Sequence, residues 1–173
     1  VESGADMDTP DLGGSSPVYM AVQSKNHKAL RILAKKGANV NQESFDTTPV
    51  IKAVQDANVK GLGILIEHNA DVNKAKIGLI TPLMFAAKLY KESPNGSQRK
   101  DVYKNMITTL VNNGADPDFR SKVGSPYTSL STKFVKKIKL LRKKYLEEVK
   151  PKTSVESVEG TILNDRNSIG VEL

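Results

Sequence analysis

A four-residue signature returns along the chain at near-constant intervals, and this periodicity restricts the possible folds more than any other feature. Gly4-Ala5-Asp6-Met7, Gly37-Ala38-Asn39-Val40, Asn69-Ala70-Asp71-Val72 and Gly114-Ala115-Asp116-Pro117 are offset by 33, 32 and 45 residues. A second signal runs in phase with it: Ser16-Pro17, Thr48-Pro49, Thr81-Pro82 and Ser125-Pro126. From Pro to the next signature is 20 residues in the first two units and 32 in the third, so the third holds a 12-residue insertion. The insertion is placed at 90–101, around Ser93-Pro94-Asn95-Gly96-Ser97, and its turn chemistry predicts an exposed loop between that unit's helices.

Each element has a physical reason. Ser or Thr before Pro is a helix start, because the hydroxyl caps orphan amides and Pro at the first helical position loses no needed N–H. Ala21, Ala53 and Ala86 follow four residues after each Pro and let neighbouring helices approach. A second apolar stripe closes each unit: Leu30-Ile32-Leu33, Leu62-Ile64-Leu65-Ile66 and Met106-Ile107-Leu110-Val111. Gly37, Asn69 and Gly114 supply the left-handed residue that ends a helix. A unit therefore reads helix, tight turn, helix, stop, then an extended link to the next cap.

These residues resemble the ankyrin-repeat family, whose Thr-Pro-Leu helix start, small Ala, Leu-Leu pair and Gly-Ala-Asp-Val-Asn close match "SPVYMAVQSKNHKALRILAKKGANVN", "TPVIKAVQDANVKGLGILIEHNADVN" and "TPLMFAAKLY…MITTLVNNGADPD". The resemblance spans about residues 4–150 and implies an all-α solenoid of about four stacked helix-turn-helix units joined by finger loops. The expected division is a remnant of a preceding repeat at 1–8, repeats at 9–41, 42–74 and 75–118, a capping repeat with a basic helix at 119–150, and a tail at 151–173. Departures are visible. The family's first-helix His is replaced by Tyr19, Ile51, Met84 and Thr128, and its Gly-His turn by Lys25-Asn26 and Ala57-Asn58. Because those positions tighten turns and bond across repeats in the family, looser packing is expected here.

In that family partners engage the fingers and the inner, "palm" helices. Carried over position by position, the resemblance nominates Leu12, Ser15 and Gln23, then Phe45, Thr47, Gln55 and Asp56, then Ile77, Ile80, Lys88 and Leu89, and last Arg120 and Lys122. Leu12, Phe45 and Ile77 each lie eight residues past a helix stop. They form either a contiguous apolar binding stripe or packing between neighbouring fingers. Phe45 is the best single anchor, since aromatics are enriched among binding hot spots. The function implied is non-catalytic recognition of another protein, with affinity from a few apolar anchors inside a polar rim.

Charge is uneven. The chain carries +7 overall, but the stretch 75–150 carries a net +10 while 1–74 is close to neutral. Lys136, Lys137, Lys139, Arg142, Lys143 and Lys144 crowd one predicted helix whose apolar stripe is Phe134, Ile138, Leu141, Tyr145 and Val149. Such a patch fits a solvated capping face, nuclear import, or electrostatic contact with nucleic acid or anionic lipid. Lys outnumbers Arg 21 to 5, which argues against base-specific readout. A spacer or regulatory role beside an enzyme outside this segment is the third alternative.

Catalytic signals are thin. There is no cysteine, which excludes disulfides, thiolate zinc sites and a Cys nucleophile together. His27 and His68 are expected as exposed polar residues, and Asp6, Asp71 and Asp116 recur because the repeat recurs. No metal, cofactor or small-molecule substrate is expected. No apolar run approaches the roughly 20 residues of a membrane span, and an intracellular location, cytoplasmic or nuclear, is expected. The chain opens Val1-Glu2-Ser3 without Met, so a larger parent protein is expected. The Lys- and Asn-rich composition fits an AT-rich genome, including that of an intracellular bacterium exporting effectors into host cytosol.

Overall fold

The computed structural model describes residues 6–75, 80–118 and 132–149, with side chains in the last stretch described at 135–140, 142, 143, 146 and 147. Among the described residues seven helices follow in order: α1 Pro17–Gln23, α2 His27–Lys35, α3 Pro49–Gln55, α4 Val59–Glu67, α5 Pro82–Glu92, α6 Gln98–Asn112 and α7 Thr132–Val149. They pair into hairpins α1–α2, α3–α4 and α5–α6. Helix α3 packs between α1 and α5 in an inner layer, α2 packs on α4 in an outer layer, and α7 lies against α6. The fold is an all-α solenoid, and no strand is present among the described residues.

The helix starts follow from the Ser/Thr-Pro steps. Ser16, Thr48 and Thr81 are extended N-caps whose hydroxyls accept from the amides of Tyr19, Ile51 and Met84 at 3.2, 3.1 and 3.2 Å. The second helices are capped in their turn by Asn26, Asn58 and Ser97, which accept from the amides of Ala29, Gly61 and Lys100. At the far ends Gly37, Asn69 and Gly114 adopt φ of 92°, 62° and 96°. That left-handed step lets the next amide, of Ala38, Ala70 or Ala115, reach back to the carbonyl of Leu33, Leu65 or Leu110 at 2.9–3.0 Å. All three of these alanines are buried.

The same closure operates inside the hairpins, with less suitable residues. Lys25 and Ala57 stand at φ 54° and 50°, so that the Asn26 and Asn58 amides reach the Ala21 and Ala53 carbonyls at 2.9 and 2.8 Å. A non-glycine residue held there costs about 1 kcal/mol. The bond across repeats, expected to be weakened by loss of the Gly-His turn, is nevertheless made by Asn58. Its side chain is buried, donates to the Val22 carbonyl at 3.0 Å, and accepts from the Gly61 amide at 2.9 Å. It also lies 2.8 Å from His27 Nε2. Because the Asn58 oxygen is an acceptor only, His27 donates. His27 is therefore half-buried and ties two units together, in contrast to the exposed residue expected; His68, at the end of α4, is half-buried too.

The links between units form a ladder. The Asn39 amide donates to Asp8 Oδ1, the Asp71 amide to Asn41 Oδ1, and the Asp116 amide to Asn73 Oδ1, each at 2.7 Å. Within each rung the acceptor residue's own amide is held by the side chain two residues earlier: Asp8 by Asp6, Asn41 by Asn39, Asn73 by Asp71. The recurring acids are thus structural acceptors.

One expectation is corrected outright. The insertion at 90–101 is not an exposed loop: α5 has 11 residues where α1 and α3 have 7, α6 has 15 where α2 and α4 have 9, and the connector is only 93–97. The added residues lengthen both helices because they preserve helical apolar spacing. Tyr103 is buried, Tyr90 and Val102 pack against the core, and the Lys100 ammonium lies 4.8 Å from the Tyr90 ring centroid. The expected helix at Ser125-Pro126 and the tail 151–173 lie outside the described residues.

Candidate finger and palm surface

The second finger is the most defined feature on the candidate surface. Ser44 and Thr47 exchange two backbone hydrogen bonds, 3.0 and 3.1 Å, across a two-residue turn. The two central residues are Phe45 and Asp46, at φ 52° and 56°. Positive φ at both positions is the type I′ geometry, which strongly favours Asn-Gly. A bulky aromatic there is an outlier, of the kind that persists only where its surroundings over-determine it. Here the surroundings are visible. Ser44 Oγ accepts from the Ser16 amide at 2.9 Å, anchoring the turn to the start of α1. The Phe45 ring meets Tyr19 of α1 edge-on, 5.8 Å between centroids at 62°. Phe45 nonetheless leaves 63% of itself exposed, while Tyr19 is buried. The ring therefore leans on an inner helix of the preceding unit and presents its other face to solvent.

The first finger is built differently. Asp11 accepts from Gly13 and Ser15 amides through Oδ1 at 2.9 and 2.8 Å, and Gly14 at φ 82° closes the loop. Leu12 stands at its tip, fully exposed. The Asp6 carboxyl, just before it, is held below the ordinary carboxylate value chiefly by the Thr9 hydroxyl, with the Asp8 amide adding to the effect.

Other nominated residues divide by placement. Gln23 and Gln55 are exposed at the ends of α1 and α3. Asp56 is half-buried and pairs with Lys52 at 3.1 Å. Lys88 is exposed and 3.9 Å from Glu92, Leu89 is half-buried against the core, and Ile80 is half-buried. Two residues depart from the expectation that they face a partner. Ser15 is buried, with its amide and carbonyl closing the first finger, and Thr47 is buried, with its amide and carbonyl closing the second hairpin on Ser44. Ile77, Arg120 and Lys122 lie outside the described residues.

On α7, Lys136, Lys137, Lys139 and Lys143 are exposed, Arg142 is half-buried, and the Lys144 side chain lies outside the described residues. Lys139 lies 3.6 Å from Asp118 and Lys143 3.9 Å from Glu147, so part of this charge is answered within the chain. Ile138 is buried, whereas Leu140 and Leu146 are exposed; the remaining stripe side chains lie outside the described residues. Among the described residues there is no group of three His, Cys, Asp or Glu that could hold a metal ion, and no helix is long and apolar enough to cross a membrane.

Sequence reasoning missed Tyr19 as the support of the second finger, and missed Asn58. A signal existed for the latter: Asn26 and Asn58 occupy equivalent helix-start positions. Tyr19 carried none, since its equivalents Ile51 and Met84 are aliphatic.

Residues 1–76 match the family model for ankyrin repeats, in three copies. No curated protein matches the chain in sequence. Among solved structures, the crystal structure of the ankyrin repeat domain of Bcl-3, described as a unique member of the IkappaB protein family, is similar at a TM-score of 0.65 and 19% identity. The similarity covers 81% of this chain and 57% of that one, so this chain spans little more than half of that domain's length. Residues 1–76 thus carry ankyrin repeats, and the same stacked hairpins continue into α5 and α6.

Proposed function

We propose that the chain is a non-catalytic recognition module that binds another protein through its finger turns and inner helices. The observation that carries this reading is Phe45. A bulky side chain held at positive φ stores about 1 kcal/mol or more of backbone strain. The turn holds the ring against Tyr19 yet leaves it mostly exposed, so the strained backbone presents an aromatic face to solvent. A rigid, pre-placed aromatic anchor is what a partner's pocket rewards, since little side-chain freedom is lost on binding. Leu12 supplies a second exposed apolar tip, and Gln23, Gln55, Asp56 and Lys88 supply the polar rim. Ile77, Ile80, Leu89, Arg120 and Lys122 extend the proposed surface along the later units, while Ser15 and Thr47 act as its supports.

The test is affinity capture with the wild-type chain beside a Phe45→Ala/Leu12→Ala variant whose helical content by circular dichroism is unchanged. A partner retained by the wild type and lost by the variant supports the reading. If every captured protein is retained equally, the finger surface is not the site. Capture that instead falls steeply with salt, and is lost on reversing charge at Lys136, Lys137 and Lys143, assigns binding to α7.

A further inference from the structure

Leu140 is 68% exposed although it lies near the middle of the 18-residue helix α7. By itself an exposed leucine is ordinary. What distinguishes this one is its setting: its helical neighbours at i−4, i−3, i+3 and i+4 are Lys136, Lys137, Lys143 and Lys144. Four lysines therefore enclose one apolar residue, and no acid occurs between Lys133 and Leu146. The opposite face of the helix is the one that packs, since Ile138 is buried and α7 lies against α6. The ring and its centre face outward.

Little of the ring's charge is answered within the chain. Lys136 and Lys137 are exposed and make no ion pair among the described residues, and Lys143 is 3.9 Å from Glu147, a long separation for a pair. Lys139, on the flank of the helix, lies 3.6 Å from Asp118. Gathering like charges on one face is unfavourable until an anionic surface relieves the repulsion. The lysine stems add hydrocarbon around Leu140 while their ammonium groups reach past it. The chemistry that matches is a layer with anionic groups outermost and hydrocarbon just beneath.

We propose that the outer face of α7 docks on an anionic lipid surface, with Lys136, Lys137 and Lys143 at the headgroup charges and Leu140 entering the layer between them. Such a contact lies on a membrane and needs no spanning segment, and no described helix is long and apolar enough to span one. Nucleic acid fits less well, because a phosphate backbone offers nothing to Leu140 and the arginines that read bases are few. A carboxylate-rich protein fits less well too: Arg142, the helix's one arginine, is half-buried, so the face lacks the planar fork that pairs with fixed carboxylates. Lysine, a hydrated point charge on a flexible stem, suits a fluid layer whose anions have no fixed positions. The contact is separate from the finger surface and does not depend on it.

The experiment is co-sedimentation of the chain with vesicles of phosphatidylcholine alone and of phosphatidylcholine mixed with phosphatidylserine, at low and at physiological salt. Binding is expected with the mixed vesicles and not the neutral ones, weakening as salt rises. Each lysine near such a surface raises affinity about fivefold, so Lys136→Gln/Lys137→Gln should lower it about 25-fold. Leu140→Ser should lower it about tenfold at unchanged charge. Lys35→Gln/Lys36→Gln removes the same charge from the exposed end of α2 and should alter binding little. All five side chains are exposed, and circular dichroism checks that each variant keeps its helices. Equal sedimentation with the two vesicle types, unchanged affinity for Leu140→Ser, or equal losses from the two lysine pairs overturns the proposal. So does binding of duplex DNA or single-stranded RNA with the same lysine dependence and none of the mixed vesicles, since nucleic acid is then the partner of α7.

Discussion

Replacing Asn58 by Ala probes the junction between the first two units more directly than any other single change. Three hydrogen bonds converge on this buried amide: the Gly61 amide, His27 Nε2 and the Val22 carbonyl, at 2.9, 2.8 and 3.0 Å. Loss of the helix cap costs about 1 kcal/mol. Each bond across the units contributes about 1 kcal/mol more. His27 is half-buried, so water recovers roughly half of one bond, and the expected loss is about 2.5 kcal/mol. Asn26 is the internal control: it caps α2 through the Ala29 amide at 3.0 Å, is exposed, and makes no described bond across units. Asn26→Ala should therefore cost only about 1 kcal/mol. Urea unfolding followed by circular dichroism at 222 nm separates the two. At a slope of about 2 kcal/mol per molar, the midpoints should fall by about 1.2 M and about 0.5 M. His27→Ala should cost about 1 kcal/mol alone and little in the Asn58→Ala background, because the partner is already gone. Equal losses for Asn58→Ala and Asn26→Ala, or full additivity with His27→Ala, would refute the assignment of cross-unit bonding to this side chain.

Four further outcomes are expected. Gly63 sits inside α4 where an added Cβ meets nothing within 4 Å, so Gly63→Ala should stabilise by about 0.5–1 kcal/mol, read as a thermal midpoint a few degrees higher. Its neighbour is the contrast: at Gly61 a Cβ would lie 2.5 Å from the Asn58 amide, so Gly61→Ala should destabilise. Asp46→Gly places the favoured residue at the second centre of the type I′ turn and should stabilise by up to about 1 kcal/mol; a lower midpoint would mean that the Asp46 carboxylate itself supports the finger. Asp6 has its folded pKa below the ordinary 3.8, so its contribution to the order of 6–9 is present above that value and is lost as pH falls through the depressed pKa. An NMR titration in which Asp6 protonates at or above 3.8 would count against the Thr9 hydrogen bond.

The hairpins were readable in the residues because their signals are local. A hydroxyl before Pro caps the helix that follows it, and Gly or Asn at a fixed distance ends the next; neither needs a distant contact to act. Pro17, Pro49 and Pro82 accordingly open equivalent helices, and Gly37, Asn69 and Gly114 close them. In the insertion composition misled: Pro-Asn-Gly-Ser suggested a long loop, but Tyr90 within it and Val102 and Tyr103 just past it reach the core, and only that packing made helix the better use of the flanking residues.

The surface was less legible, since a side chain's exposure depends on what a neighbouring unit brings to it. Ser15 and Thr47 occupy finger positions yet turn inward, while Phe45 is held outward by Tyr19 from another unit, a pairing 26 residues apart that no periodicity encodes. Asn58 reaching Val22 and His27 is the same kind of event. Short-range order in this protein is thus written in its caps and stops. Which polar groups bind the units together, and which apolar ones are left facing water, emerges only when the hairpins stack, because burial and hydrogen-bond satisfaction are properties of the neighbours and not of the residue alone.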